Sequence, residues 1–406
     1  MTQDLIAIKE NSGTHLELKR IVRQCVHCGF CNATCPTFEL LGDELDGPRG
    51  RIYQIKGMLE GIEPTLVNQK HLDSCLNCRN CETTCPSGVK YTQILKSGLD
   101  LIEKNVPRSF AEKVLRYLVI LIIPNRILFK FLFFLGCSFR SLLPDFLKKK
   151  IVIPVSKGKW PKKKNSRTMV LVQACGQNSA TPNVNAAAAR VLSRLGIDII
   201  LVKTDGCCGA IPLHLNNASL AKKWAKKNID IWLDCLANGS EAIVSTASGC
   251  GLQIKEYKQL LIDDPDYREK AELISSKCFD LVQIVEKEDL KNLNIKVVKN
   301  LVAFHSPCTL QHGQKLEGSI EKILVKLGFK LSIVGDPHMC CGSAGTYSLF
   351  QPKIAEALKQ KKVDNLMLGD PSCIVTANVG CQLHLASESV IPVNHWIELI
   401  DNALDG

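Results

Sequence analysis

The 406 residues contain no apolar run long enough to span a bilayer, no glycine-rich nucleotide loop in a fitting context, and too low a density of cysteine for a disulfide scaffold. The most apolar stretch, VLRYLVILIIPNRILFKFLFFLGCSF, is cut by Pro124, Asn125, Arg126 and Lys130 into runs of about six or seven residues. A transmembrane helix needs roughly 18 to 20. The 20 cysteines are about 5% of the chain, under the roughly 8–10% that marks a disulfide-stapled fold. The start, MTQDLIAIKENSG, has neither a basic n-region nor an apolar h-region, so the thiols are expected reduced, in the cytoplasm. No G-x-G-x-x-G or Walker loop occurs with the strand and helix it requires, so no flavin or nicotinamide site is expected.

The net charge, 51 − 40 = +11, suggests a nucleic-acid or anionic partner until its location is read. The stretch Lys148 to Arg167 carries eight Lys and one Arg with no acid, nine of the eleven excess charges. Dispersed bases among Pro and Gly, without interleaved aromatics, describe a solvated linker, so no nucleic-acid partner is expected.

What the chain does have is cysteine in register with itself, twice over. Cys25, Cys28, Cys31 and Cys35, followed by Pro36, recur after 50 residues as Cys75, Cys78, Cys81 and Cys85, followed by Pro86. Between the copies, Ile52, Ile55, Met58 and Leu59 fall at helical spacing, with Gly61 as a stop. The second repeat has an offset of 133: Cys175 and Cys207-Cys208-Gly209 recur as Cys308 and Cys340-Cys341-Gly342. Each copy closes on a further Gly-Cys, at Cys250 and Cys381. Short β-branched runs such as MVLVQA, IDIILV, AIVST, LVAFH, KLSIV and CIVTA read as buried parallel strands, and the longer segments between them as helices. Ligands of open parallel sheets bind beyond the carboxyl ends of the strands, where these cysteines fall.

The pattern C-x2-C-x2-C-x3-C-P is the spacing that holds cubane [4Fe-4S] clusters, three ligands from one copy and the fourth from the other. By that rule Cys25, Cys28, Cys31 and Cys85 take one cluster, and Cys75, Cys78, Cys81 and Cys35 the other. Zinc competes for such motifs but pairs two C-x2-C elements over a longer loop. The expected fold is an α+β multidomain chain. A helical ferredoxin-type domain with two clusters covers 1–105, an apolar helical segment and basic linker 106–167, and two repeated α/β modules, each with a Cys-Cys-Gly motif, 168–290 and 291–406. The apolar segment reads either as an interfacial element backed by Lys148 to Lys150 or as a helical pair packed on a neighbouring domain or partner subunit. The lack of a cleanly polar face favours the pair.

The strings GDELDGPRGRIY at 42–53, CLNCRNCETTCPSGVKY at 75–91, SPCTLQHGQ at 306–314, CCGSAGTYSLFQP at 340–352 and IVTANVGCQLHLAS at 374–387 carry a further signal. With them the chain resembles the family of iron–sulfur subunits of bacterial glycolate oxidase, also called glycolate dehydrogenase. The resemblance implies an oxidoreductase complex whose FAD-containing subunits oxidise glycolate to glyoxylate. This chain would have no catalytic residue of its own and would pass electrons towards the quinone pool, peripheral at the inner face of the cytoplasmic membrane. Iron–sulfur subunits of lactate or glycerol-3-phosphate dehydrogenases, and heterodisulfide reductase subunits acting on thiols, share the layout. In the heterodisulfide reductase form each module ends in C-x2-C; here the first of those positions is Ala247 or Asn378. Each module therefore keeps four cysteines, able to hold one further [4Fe-4S] cluster or to form a redox-active thiol site. Cys308, Cys340, Cys341 and Cys381 rank ahead of Cys175, Cys207, Cys208 and Cys250 because His305, His312 and His338 lie near them in sequence, where they could deliver protons. Cys137, Cys235, Cys278 and Cys373 have no partners at ligand spacing and read as core thiols.

Overall fold

The structure is a computed structural model that describes residues 18, 20–142, 155–162, 165–202, 204–296 and 300–404. The N-terminal stretch read above and, in the basic linker, Lys148 to Lys150, Lys163 and Lys164 lie outside these residues. The described chain groups into two compact units, Met1–Leu115 with His338–Leu358, and Arg116–Pro337 with Lys359–Gly406.

Helices dominate the first unit because its apolar residues recur at helical spacing around two cysteine loops. Pro48 opens the Pro48–Leu59 helix at its first turn, where a missing N–H costs nothing, and Ile52, Ile55, Met58 and Leu59 all turn inward. They meet Leu72 of the Leu66–Asp73 helix and Ile94, Leu95 and Ile102 of the Tyr91–Asn105 helix. Thr65 starts the Leu66–Asp73 helix with a capping box closed by Asn68. At the end of this bundle the buried Arg108 binds Asp73, Glu103 and Glu112, each at 2.7 Å, so three helices share one cation.

The second unit holds two four-stranded parallel sheets. In the first, β1 (Arg167–Leu171), β2 (Ile197–Leu201), β3 (Ile243–Ser245) and β4 (Cys278–Asp280) lie in the order β2-β1-β3-β4. In the second, β5 (Leu301–His305), β6 (Lys330–Leu331), β7 (Cys373–Thr376) and β8 (Val393–His395) lie in the order β6-β5-β7-β8. The shared order is the structural form of the 133-residue repeat. A single apolar core joins the sheets, with Leu171, Val191 and Val244 from one and Val302, Val375 and Trp396 from the other. Polar contacts sew the modules together at the ends of β3 and β7: Ser248 N–H donates to Ala377 O at 3.1 Å, and the Ser248 and Thr309 hydroxyls meet at 2.7 Å.

Asp280 ends β4 and caps the Leu281–Val285 helix, accepting from Val282 N–H at 3.2 Å and from Gln314 Nε2 at 3.0 Å. Burial pushes its carboxyl up to about 6, against the lowering effect of these hydrogen bonds and of Lys255. The unfolded carboxyl titrates near 3.9, so the folded state holds the extra proton between about pH 4 and 6 and stability falls as pH rises through that window, by about 3 kcal/mol in all. Chemical denaturation across this range should show that slope in the wild type and its loss in Asp280→Asn; an unchanged slope in the variant would assign it to another group.

The apolar segment forms two helices, Phe110–Ile122 and Arg126–Ser138, and the chain turns by 104° at the break around Pro124. Among the described residues, no single helix is long and apolar enough to cross a membrane. Only Val119 of the pair is buried, whereas Leu118, Leu121, Ile127, Phe131 and Phe134 are exposed. Within this chain most of the pair's apolar side chains are left uncovered. Their anchorage in the second unit comes from Arg126, which binds Asp205 at 2.8 Å and Gln173 O at 2.9 Å.

Candidate functional site

Within the first unit, the two C-x2-C-x2-C loops repeat in backbone as they do in sequence. His27 and Gly29 of the first and Asn77 and Arg79 of the second, each pair 50 residues apart, adopt left-handed φ of 53°, 85°, 51° and 65°. Alternating hands of this kind turn successive N–H groups into one concavity, the form that anions and iron–sulfur clusters occupy. Asn77 N–H reaches Cys75 Sγ at 3.5 Å, and His27 N–H makes the matching bond to Cys25. The equivalent Thr34 and Thr84 hydroxyls touch at 3.1 Å, where the two copies meet.

Two adjacent cavities result. One, of about 440 Å³, is lined by Cys25, Cys28, Cys31 and Cys85; the other, of about 310 Å³, by Cys35, Cys75, Cys78 and Cys81. Each gathers three cysteines of one copy and the fourth of the other, which is the partition that the spacing rule gives. Cys81 also reaches the edge of the first cavity, so one thiol-lined wall separates the pair. Burial raises Cys81 far above the usual thiol range, and burial together with Cys25 raises Cys31 to about 11. Thiolates at these positions need a positive partner, and the ferric and ferrous ions of a cluster are such a partner. The Tyr91 hydroxyl points at Cys75 Sγ at 3.6 Å and lines both cavities.

Three residues of the second cavity's wall were not singled out from the sequence: Tyr91, Arg51 and, behind them, Ser74. Arg51 is wholly buried and binds His71 O, the Thr37 hydroxyl and the Ser74 hydroxyl at 2.8, 3.1 and 2.7 Å. A buried arginine and an exposed one look alike in a string such as GPRGRIY. The left-handed positions had a signal that could have been read, since Asn tolerates that conformation and Gly prefers it.

In the second unit the carboxyl ends of β1, β2 and β3 lead to Cys175, to Cys207 and Cys208, and to Cys250. These four free thiols come together, hydrogen-bonded in a row from Cys175 through Cys207 and Cys208 to Cys250. Cys175 is pushed up by its bond with Cys207 and by burial. Beneath them, Asn228 Nδ2 donates to Cys207 O at 3.0 Å and the Tyr257 hydroxyl to Cys208 O at 2.8 Å, fixing the Cys-Cys peptide. Gly209 and Gly342 hold φ of 89° and 86°, so the Cys-Cys-Gly turn has the same form in both modules.

The other set draws its members from both units. Cys308 and Cys381 belong to the second unit, and Cys340 and Cys341 to the His338–Leu358 segment of the first. Asn378, at the substituted position, donates to Cys381 Sγ at 3.5 Å, while Ala247 is buried without a polar group. His305 is fully buried, bonded through Nδ1 to the Thr376 hydroxyl at 2.9 Å, and burial holds its imidazole neutral, well below the usual range. His338 offers its backbone carbonyl to Asn80 Nδ2 at 3.3 Å within the first unit. Of the thiols expected in the core, Cys278 and Cys373 are buried, but Cys137 and Cys235 are half-exposed on helices.

Comparison with known proteins agrees with this geometry. A 4Fe-4S dicluster domain matches residues 21–89, and a cysteine-rich domain matches twice, over 169–255 and 302–386. The chain is 49% identical to the glycolate oxidase iron-sulfur subunit of Escherichia coli (strain K12) over 96% of both chains. It is 29% identical to the probable glycolate oxidase iron-sulfur subunit of Bacillus subtilis (strain 168), over 89% of this chain and 87% of that one. Lactate utilization protein A of Exiguobacterium is 26% identical over 58% of this chain and 98% of its own. A crystal structure of a hypothetical protein from Helicobacter pylori superimposes with a TM-score of 0.52 at 12% identity, covering 98% of this chain and 74% of that one, a likeness of fold alone. With two cysteine-lined cavities, a twice-repeated cysteine-rich domain and end-to-end identity of this degree, the chain belongs to the family of glycolate oxidase iron–sulfur subunits.

Proposed function

We propose that this chain is the electron-transfer subunit of a complex that oxidises glycolate to glyoxylate, accepting electrons from FAD-containing subunits and passing them towards the quinone pool. The observation that supports it is the pair of cavities, in each of which three cysteines of one motif meet the fourth of the other, with Cys81 bordering both. Cys25, Cys28, Cys31 and Cys85 would hold one [4Fe-4S] cluster and Cys75, Cys78, Cys81 and Cys35 the other, and when bound these supply one-electron transfer. The chain's residues do the rest. Backbone N–H groups of His27 and Asn77 and the Tyr91 hydroxyl bond the sulfurs, and Cys28 lies exposed, on the side open to a donor. The exposed apolar residues between Leu118 and Phe134, with Arg116 and Lys130 beside them, offer a peripheral contact for an anionic membrane surface or a partner subunit.

For a further cluster we place Cys175, Cys207, Cys208 and Cys250 first, since these four thiols share one buried edge of the second unit. About eight irons per chain would limit the clusters to the first unit, about twelve would add one site, and about sixteen would add both.

The decisive test is electron paramagnetic resonance of the natively isolated complex, kept free of oxygen, before and after glycolate, D-lactate or glycerol 3-phosphate. Glycolate alone should produce the reduced-cluster signal; a signal with only one of the other two would move the substrate and keep the relay. In the same complex Cys28→Ser should abolish one cluster and stop quinone reduction while flavoprotein dye reduction continues. Loss of dye reduction as well would give this chain a role in substrate oxidation.

A further inference from the structure

The two cavities of the first unit differ in the charge that faces them. Beside the first, Arg49 lies at the surface and pairs with Glu44 at 2.6 Å, the partners being 38% and 43% exposed. An ion pair in that position is screened by water and salt. Beside the second, Arg51 is 1% exposed, lines the cavity and is locked by hydrogen bonds to His71 O, Thr37 and Ser74. Two of these anchors touch the cysteines: Ser74 precedes Cys75, and the Thr37 hydroxyl lies 3.3 Å from Cys35 Sγ.

A counter-charge exists, but it faces away. Asp46 sits 3.3 Å from Arg51 Nη2 and takes its closer contacts from the Ser74 hydroxyl and from His71 Nδ1, at 3.1 Å. The guanidinium lines the cavity and the carboxylate does not. A cluster that accepts one electron gains one negative charge, so a fixed cation in a desolvated wall favours the reduced form.

We infer that Arg51 raises the reduction potential of the cluster held by Cys35, Cys75, Cys78 and Cys81 above that of its neighbour, making it the exit of the pair. The inference rests on the ligand sets proposed above. One electron leaves the Cys25 cluster as the Cys75 cluster gains it, with no proton required. On the exit side lies the His338–Leu358 segment with its Cys340-Cys341 pair: the Tyr347 hydroxyl donates to Ser74 O at 2.8 Å, next to Cys75. Arg51 is a positioning and tuning residue, since it touches the anchors of the cluster and not a substrate.

Redox titration of the isolated complex, followed by electron paramagnetic resonance, tests this directly. Wild type should give two midpoints, the higher assigned to the Cys75 cluster by its loss in Cys78→Ser. Arg51→Gln should lower that midpoint alone, Arg51→Lys should hold it near wild type, and Asp46→Asn should raise it. A purely structural role would move Arg51→Gln and Asp46→Asn in the same direction, and that result, or no shift in either, overturns the inference. Should Arg51→Gln fail to fold, the opposite-signed Asp46→Asn and the charge-keeping Arg51→Lys still decide. A wild-type chain with one cluster would overturn the ligand sets themselves, and this inference with them.

Discussion

Replacing Cys85 by serine is expected to remove the cluster of the first motif and spare that of the second, although Cys85 lies in the second motif. Cys85 lines the cavity of Cys25, Cys28 and Cys31, and Cys35 lines that of Cys75, Cys78 and Cys81. Loss of one thiolate from a four-thiolate site leaves the remaining three, two of them half-buried, with an incomplete shell. The reciprocal variant, Cys35→Ser, should therefore extinguish the Cys75 cluster and keep the other. Iron content should fall by about four per chain in each case, since each site is a [4Fe-4S] cluster. The identity of the surviving cluster is what discriminates. Arg49 near one cavity and Arg51 near the other give the two sites different surroundings, so the two clusters should differ in spectrum and midpoint. If Cys85→Ser instead leaves a cluster with the properties of the Cys25 site, each motif closes on itself and the crossed arrangement is wrong.

The cavities were legible in the sequence because their ligands are set by local spacing. A loop of seven residues with thiols at intervals of three fixes where the sulfurs point, whatever the rest of the chain does. The parallel strands after Arg167 were legible for a related reason, since runs such as LVAFH and CIVT match β5 and β7 nearly residue for residue. Their carboxyl ends then brought Cys175, Cys207, Cys208 and Cys250 together as expected. Two strands left no mark. β4 (CFD) and β8 (VNH) are three residues long, too short for a period of two, and they exist because β3 and β7 offer them a hydrogen-bonding edge. Nor does any local pattern announce that His338–Leu358 groups with the first unit, because that grouping rests on contacts such as Tyr347 to Ser74, 273 residues apart. The burial of Arg51 is of the same kind. It follows from the meeting of the Glu44–Asp46 turn with the end of the Leu66–Asp73 helix, which brings His71 and Ser74, and neither predicts the other.

That same meeting makes Gly50→Ala a damaging small change. An added Cβ would stand 2.0 Å from Glu44 O and 2.7 Å from Glu44 C, in the backbone of the turn Glu44–Asp46 on which the Pro48–Leu59 helix begins. No rotamer relieves a clash with backbone. Asp43 pins the turn by accepting from Leu45 N–H at 2.9 Å, so the helix must lift away instead. Overpacking of this sort costs typically 1–3 kcal/mol, against which alanine's better helix propensity returns about 1 kcal/mol. A net loss of up to about 2 kcal/mol is expected, read as a lower unfolding midpoint. Gly57, about two turns further along the same helix, provides the control. Its added Cβ would meet only the Ile62 side chain, at 3.0 Å, which can move aside, so Gly57→Ala should be neutral or slightly stabilising. The two variants also separate stability from function. Lifting the helix at Gly50 carries Pro48 and Arg51 away from the cavity they line, so the Cys75 cluster should be recovered in lower yield and at a shifted midpoint. Gly57→Ala leaves that wall in place and should keep the wild-type spectrum. Equal losses in both would mean that something other than the packing on Glu44 governs the effect.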